Sequence, residues 1–205
     1  MPAFNHPPRR KADAAKLAAG LASAFGGALL LAGWGGATLV DAFLPALRLT
    51  LAWLDDRFVI VVLETGHGAH DTVVHLRTNL IRPMSLGGHV QWPIAAGWFD
   101  VTTPVGLMLQ PLVVALGLAG AWPGSLAERL SRLASAGLLA LGFLLADLPL
   151  TLHATVWETF VQALEPGRYS AIIVWRDFMQ AGGRLAIGIL LAMAAYRAAK
   201  PHHSS

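Results

Sequence analysis

Residues 17–40 read LAAGLASAFGGALLLAGWGGATLV and form a run of 24 residues without a charged side chain, between Lys16 and Asp41. A second uncharged run, of 27 residues, lies between Asp100 and Glu128. A helix needs about 20 consecutive apolar residues to cross the hydrocarbon core of a bilayer. Because both runs are long enough, the sequence predicts an integral membrane protein.

The composition of the whole chain agrees with this prediction. Of its 205 residues, 55% are hydrophobic and only 13% are charged, whereas soluble domains carry about a quarter charged residues. The basic residues are scattered or lie beside hydrophobic runs, which favours membrane orientation over a nucleic-acid partner. The chain has no cysteine, which excludes disulfides, thiolate nucleophiles and cysteine-based zinc sites.

The apolar runs predict a mainly α-helical membrane protein with four transmembrane helices. The predicted spans are residues 17–40, 103–122, 133–157 and 178–196. If both termini lie on one side, the tails 1–16 and 197–205 and the turn between the second and third spans carry eight basic and two acidic residues. The opposite side carries seven basic and ten acidic residues. The positive-inside rule therefore predicts a multi-pass protein of the bacterial inner membrane with both termini in the cytoplasm.

Two segments are predicted outside the cytoplasm, at residues 41–102 and 158–177. The second reads as an amphipathic interfacial segment. The first contains two runs rich in β-branched residues, RFVIVVLE and DTVVHLRTNLI, which predict a small β-hairpin over residues 58–81. Strict alternation puts five apolar side chains on one face of the hairpin, and we expect this face to cover the membrane surface, the later stretch HVQWPIAAGWF (89–99) or a partner protein. These side chains are Val59, Val61, Leu63, Val74 and Leu76.

The hairpin tip holds an unusual density of possible metal ligands. Residues 63–75 read LETGHGAHDTVVH and contain His67, His70, Asp71 and His75. Neutral histidine and carboxylate side chains are ligands for zinc and other divalent metals, so the spacing permits a metal site. No HExxH or comparable motif is present. A solvated turn that happens to be rich in histidine, or a surface that recognises a partner, explains the same residues.

Two polar side chains lie within predicted spans. Gln110 precedes Pro111, and either its amide or a neighbouring helix could satisfy a carbonyl that the proline leaves without a donor. Asp147 lies 15 residues after Arg132, which places it about 22 Å across the membrane from the inner face. We expect a structural role in which Asp147 pairs with Arg184 or Arg176; a proton relay or transport role is the alternative.

The layout resembles that of the small membrane proteins that accompany exosortases, bacterial transpeptidase-like enzymes that sort proteins during envelope biogenesis. The stretches HLRTNLIRP (75–83) and WFDVTTPVGLMLQPLVVALGLAGAW (98–122) carry the resemblance. An exosortase itself is excluded, because the catalytic cysteine of that family has no counterpart here. The resemblance implies a non-catalytic helper that binds a membrane-protein partner.

The sequence shows no constellation of nucleophile and base, and no GxSxG motif. The expected function is therefore that of a non-catalytic accessory subunit that binds a partner complex of the cell envelope, for example in protein sorting or export. The alternative is a small metal-binding or proton-coupled membrane protein that uses the histidine cluster or Asp147. No cofactor is expected under the first hypothesis.

Overall fold

A computed structural model of the chain describes residues 9–68, 71–93 and 97–199. Helices come first and last in the chain, and the strands lie between the first two helices. The elements are α1 (Arg9–Leu54), β1 (Phe58–His67), β2 (Thr72–Leu80), β3 (Met84–Leu86), β4 (His89–Gln91), β5 (Phe99–Pro104), α2 (Val105–Ala121), α3 (Leu126–Leu164), α4 (Ala171–Phe178) and α5 (Arg184–Ala198). A π-helical turn, Met179–Gly183, joins α4 to α5 into one bent rod.

Three of the helical segments are long and apolar enough to cross a membrane. They are Ala14–Leu54, Leu126–Leu164 and Ala171–Ala198, and a shorter apolar helix, Val105–Ala121, accompanies them. The four helices pack side by side, with α2 in contact with α1, α3 and α5. The coarse prediction of a mainly helical protein with membrane-spanning helices is thus supported.

Two helices extend well past the predicted spans. The 46 residues of α1 measure about 69 Å and the 39 residues of α3 about 58 Å, against about 30 Å for a bilayer core. The segments after residues 40 and 157, predicted to lie outside the spans, therefore begin as continuations of these helices. The start of α3 is fixed by a capping box, in which Ser125 Oγ accepts from the Glu128 backbone N–H and the Glu128 carboxylate accepts from the Ser125 N–H.

The ends of the four helices define two ends of the molecule. At one end, here called the helical end, Arg132 near the start of α3 donates to the carbonyls of Trp122 and Pro123 just after α2. The Arg132 guanidinium also lies 5.9 Å from the ring of Tyr196 in the last turns of α5. The strands lie at the opposite end, here called the sheet end, where α1 and α3 project beyond α2.

The strands form more than the predicted hairpin. β1, β2 and β5 make an antiparallel three-stranded sheet with β2 in the middle, and β3 and β4 form a separate small hairpin. The third strand, β5, runs directly into α2. The sheet is therefore tied to the helices through both α1 and α2.

A β-bulge in β1 overturns the predicted division of its side chains between the two faces. Leu63 pairs with Leu76, but the register shifts between Ile60 and Val62. One extra residue reverses the alternation, so Ile60 instead of Val61 shares the face of Leu63. The prediction that Val59 and Val61 lie on the same face as Leu63, Val74 and Leu76 was wrong for this reason. Val59 pairs with Asn79 on the outer face of the sheet.

The inner face of the sheet is covered by the chain's own helices. Val74 and Leu76 belong to the same buried core as Leu51 of α1 and Phe160 of α3. The Phe160 ring also contacts the ring of Phe99 in β5, with centroids 4.5 Å apart. The predicted apolar face is therefore internal, because α1 and α3 extend far enough beyond α2 to pack against it.

A close approach between α2 and α5 depends on a glycine. A Cβ at Gly188 would lie 2.7 Å from the Val114 Cβ and 3.0 Å from the Pro111 carbonyl oxygen. Both contacts are shorter than van der Waals separation, and one is to backbone, so a side chain there forces the two helices apart. Small residues of this kind let helices pack closely where no hydrophobic effect drives them together.

We predict that Gly188→Leu lowers the free energy of unfolding by about 1–3 kcal/mol, the usual range for an overpacked core. The matched control is Gly142→Leu in α3, since a Cβ at Gly142 meets nothing within 4 Å. Denaturation in mixed detergent micelles, followed by tryptophan fluorescence, measures both. An equal loss of unfolding free energy in the two variants contradicts the close packing of α5 on α2.

Candidate functional site

The buried stripe of α3 contains one carboxylate. Its members recur at helical spacing and face the other helices: Ala136, Ala140, Leu144, Asp147, Leu148, Thr151 and Leu152. The side chain of Asp147 is only 1% exposed. An ionised group in such a place needs hydrogen-bond partners and an opposite charge, because water cannot solvate it.

Those partners come from the bent rod of α4 and α5. Arg184 Nε and Nη2 each donate to Asp147 Oδ2 at 3.0 Å. Trp175 Nε1 donates to Asp147 Oδ1 at 3.0 Å, and the Thr151 hydroxyl donates to the same oxygen at 3.4 Å. The Arg184 Nη2 atom also donates to Thr151 Oγ1 at 3.1 Å. Both oxygens of the carboxylate thus accept two hydrogen bonds each.

The pairing of Asp147 with Arg184, one of the two expected from the sequence, is present. Pairing with Arg176 is absent, because the Arg176 guanidinium lies against the carboxylates of Glu158 and Asp177. Arg184 is itself 1% exposed. Removing one member of such a pair leaves the other charge buried and uncompensated, which is far more costly than replacing both.

The backbone before Arg184 explains how its side chain reaches α3. Gly182 has φ 121° and ψ −1°, a conformation that residues with a Cβ rarely adopt. The π-helical turn that contains it bends the rod between α4 and α5, and π-bulges of this kind are one of the recognised causes of sharp kinks. The bend places Trp175 before the turn and Arg184 after it on the same carboxylate.

Gln110 does not make the hydrogen bond that its place before Pro111 suggests. Its side chain is half-buried in α2, and it makes no hydrogen bond within the described part of the chain. The predicted contact with a carbonyl freed by Pro111 is therefore not seen.

The histidine cluster does not come together where the structure describes it. Among residues 9–68, 71–93 and 97–199, no group of three or more potential metal ligands is present. His67 pairs with Thr72 and His75 with Glu64, three steps apart along the same ladder. Because side chains alternate between the faces of a sheet, three steps put His67 and His75 on opposite faces, where they cannot bind the same ion. His70 lies outside the described residues.

A second polar cluster, which the sequence reading missed, links the end of α1 to α3. Asp55 accepts hydrogen bonds from the Arg57 backbone and guanidinium, and its Oδ2 lies 3.6 Å from His153 Nε2. Burial alone raises the pKa of Asp55, but the hydrogen bonds and charge of Arg57 outweigh it and hold that pKa below its ordinary value. The local spacing LDDR signals a turn with an Asp–Arg pair, but nothing near it in sequence points to His153.

The outer surface of the sheet end is a mixture of ion pairs and exposed apolar side chains. Arg77 and Asp100 pair across β2 and β5, and the Arg77 guanidinium lies 5.7 Å from the ring of Trp98. Six large apolar side chains on or next to the strands are 41–66% exposed. We call this set the outer apolar surface, and it consists of Val59, Val61, Ile81, Val90, Trp92 and Trp98.

No family model, curated protein or solved structure matches this chain. Its candidate sites are therefore defined by their geometry alone. The similarity in layout to exosortase-associated proteins stays a prediction.

We predict that Arg184→Met or Asp147→Leu alone lowers the free energy of unfolding by about 3–5 kcal/mol, because each leaves a buried unpaired charge. The double variant should recover most of this loss, since two apolar side chains then fill the site. Denaturation in mixed micelles measures the free energy of unfolding of all three variants.

The control for this series is Arg168→Met, which removes a half-exposed pair with Glu165 and should cost less than about 1 kcal/mol. If the double variant loses as much free energy of unfolding as the two single variants lose in sum, Asp147 and Arg184 do not act as a pair.

Proposed function

We propose that this chain is a non-catalytic accessory protein of the bacterial inner membrane, which crosses the bilayer four times and binds a membrane-protein partner of the cell envelope. Three helices with the length and composition of membrane spans support the membrane placement. At 17 residues, α2 is at the short end of the range for a span. It lies against all three of the others, so the four helices form one bundle.

The distribution of charge supports an orientation with the helical end in the cytoplasm. Lys16, Arg129, Arg132 and Arg197 all belong to the ends of helices at that end. The acidic side chains of Asp55, Asp56, Asp71 and Asp100, by contrast, belong to the sheet end, which would face the periplasm. Arg57, Arg77 and Arg82 at the sheet end each pair with one of these acids. The positive-inside rule counts basic residues close to the spans, and those at the helical end support its placement in the cytoplasm.

The observation that best supports a partner is the outer apolar surface. The sheet already buries its inner face against α1 and α3, so the chain's own core does not need the six side chains on the outside. Among the described strands β1 pairs with β2 alone and lies at the edge of the sheet, and edge strands with apolar side chains are common sites of β-strand addition. The occupant that fits is the extracytoplasmic part of a membrane-protein partner, in a complex for protein sorting or export.

Proton coupling through Asp147 is the second candidate function, because a buried carboxylate within a membrane-spanning helix is often functional. The geometry of the site favours a structural role instead. Both carboxylate oxygens accept hydrogen bonds from Arg184, Trp175 or Thr151, and a relay would have to break these hydrogen bonds in every cycle. A proton flux in liposomes that Asp147→Asn abolishes would favour this candidate over the accessory role.

We predict that a photo-crosslinking amino acid at Val61, introduced in the native cells, captures one membrane protein in stoichiometric yield. Val59→Lys/Val61→Lys should reduce recovery of that protein to about a tenth or less, since unpaired charges buried at an interface cost on the order of 2–5 kcal/mol. Thr102→Lys is the matched control, because Thr102 is exposed on β5 at the opposite edge of the same sheet. If the double lysine variant and the wild type recover equal amounts of the partner protein, the proposed surface is contradicted.

The orientation is tested by single-cysteine labelling, for which the cysteine-free chain is well suited. We predict that Thr102→Cys reacts with a membrane-impermeant maleimide in intact inner-membrane preparations that expose the periplasmic side. Ser131→Cys, at the helical end, should react only after the membrane is permeabilised. The reverse pattern, or labelling of both without permeabilisation, contradicts the proposed topology.

A further inference from the structure

A groove of about 990 Å³ opens on the surface of the helical end, between α1 on one side and α2 and α3 on the other. Most of its wall is made of small or aliphatic residues, among them Gly20, Gly27, Ala28, Gly120 and Leu133. Lys16 and Arg129 also line it. The groove is thus apolar along its length, and its only charged lining residues among those the structure describes are cationic.

Gly120 of α2 lies between the two walls of the groove: a Cβ there would be 3.5 Å from the Ala24 Cβ of α1 and 3.6 Å from Leu133 Cδ2 of α3. A Cβ at Gly20 would lie 3.8 Å from the Ala121 carbonyl oxygen, an ordinary van der Waals contact. A Cβ at Gly27, two turns further along, would meet nothing within 4 Å. The helices therefore touch near Gly20 and leave open space beside Gly27.

The length of the groove matches one leaflet of a bilayer. The lining residues of α1 run from Lys16 to Leu31, which is about 22 Å along the helix. Half of a bilayer with its headgroups is about 20 Å thick. Lys16 is at the end where headgroups would lie, and Leu31 is close to the middle of the membrane.

The structure shows no partner for the two charges at the mouth of the groove among the side chains that it describes, those of residues 14–68, 71–93 and 97–199. Neither the Lys16 ammonium nor the Arg129 guanidinium forms an ion pair or side-chain hydrogen bond with any of these. Glu128, the acid next to Arg129 in the sequence, is held by its capping-box bond to the Ser125 N–H. Arg129 also lies in the first turn of α3, where the helix dipole favours an anion.

We propose that this groove binds one acidic phospholipid of the cytoplasmic leaflet. Its phosphate lies between Lys16 and Arg129, and an acyl chain runs past Gly27 and Leu133 towards Leu31. Basic pockets between transmembrane helices on the cytoplasmic side bind anionic headgroups through this combination of charge and apolar wall. The proposal rests on the topology proposed above, which puts the helical end in the cytoplasm.

A second copy of this chain fits the groove less well than a lipid does. Two copies in the same orientation would bring Lys16 and Arg129 of both chains to the same level of the membrane. The groove supplies no acidic side chain, among the described residues, to offset that repulsion. A lipid phosphate brings the opposite charge with it.

The test uses the full-length protein in nanodiscs that contain phosphatidylcholine and phosphatidylglycerol, followed by native mass spectrometry of the lipids that stay bound. We expect wild type to retain one phosphatidylglycerol and Lys16→Gln/Arg129→Gln to retain roughly tenfold less, since each basic residue contributes separately to attraction of an anionic lipid. Arg197→Gln, which removes a basic residue at the same end but outside the groove, should behave as wild type.

A second pair of variants tests the apolar part of the site without changing charge. Gly27→Leu should displace the lipid, because it fills the groove. Gly26→Leu should not, because Gly26 is the adjacent residue, has equal space around it and does not line the groove. If either variant fails to fold, the charge variants decide the outcome.

The same samples carry the single-cysteine labels described above, which separates the two proposals. Correct topology with no preference for phosphatidylglycerol, or equal retention in the Lys16/Arg129 double variant, overturns the lipid site alone. A homodimer peak that disappears in Gly27→Leu overturns it in favour of a second copy. Inverted topology overturns both the lipid site and the proposed function.

Discussion

The ion pair between Asp147 and Arg184 is the constraint on which the rest of the helix packing depends. Two charges that are each 1% exposed, in the middle of an apolar bundle, are tolerable only when every polar atom around them has a partner. In the described ranges no buried side-chain nitrogen or oxygen is left without one. To supply those partners, the rod of α4 and α5 must bend, and Gly182 at positive φ permits the bend. Trp175 and Arg184 then converge on α3 from both sides of the turn.

The same helix, α3, makes further polar contacts on both sides of Asp147. Arg132 binds carbonyls that follow α2, and at the sheet end Asp55, held by Arg57 after α1, contacts His153. Between these polar contacts the helices approach through small residues such as Gly188. In a membrane, where apolar surface gains little from association, this combination of close backbone contact and a few specific polar bonds is what fixes one arrangement.

How far the sequence could predict this structure depends on whether local pattern or tertiary contact decides each feature. Charge-free runs identify membrane-spanning helices because burying a charge in a bilayer costs a large free energy at the residue that carries it, so the sequence itself avoids charges there. The pairing of Asp147 with Arg184 followed from the same cost, since few cations lay within reach. The bulge at Val61 could not be seen, because strict alternation and a one-residue shift are equally compatible with a run of valines and isoleucines. Nor could the histidine spacing reveal that His67 and His75 lie three ladder steps apart.

The central claim is that Asp147 serves the architecture and that the function resides in the surfaces which the bundle presents. Solid-state NMR on protein labelled with ¹³C at aspartate and ¹⁵N at arginine, in lipid bilayers, tests this most directly; subtracting the spectrum of Asp147→Asn assigns the signal. The account predicts a persistent carboxylate–guanidinium contact, with the 3.0 Å separation between Arg184 Nη2 and Asp147 Oδ2. A carboxylic acid signal from Asp147 with no contact to arginine would contradict it and make proton transfer the leading function.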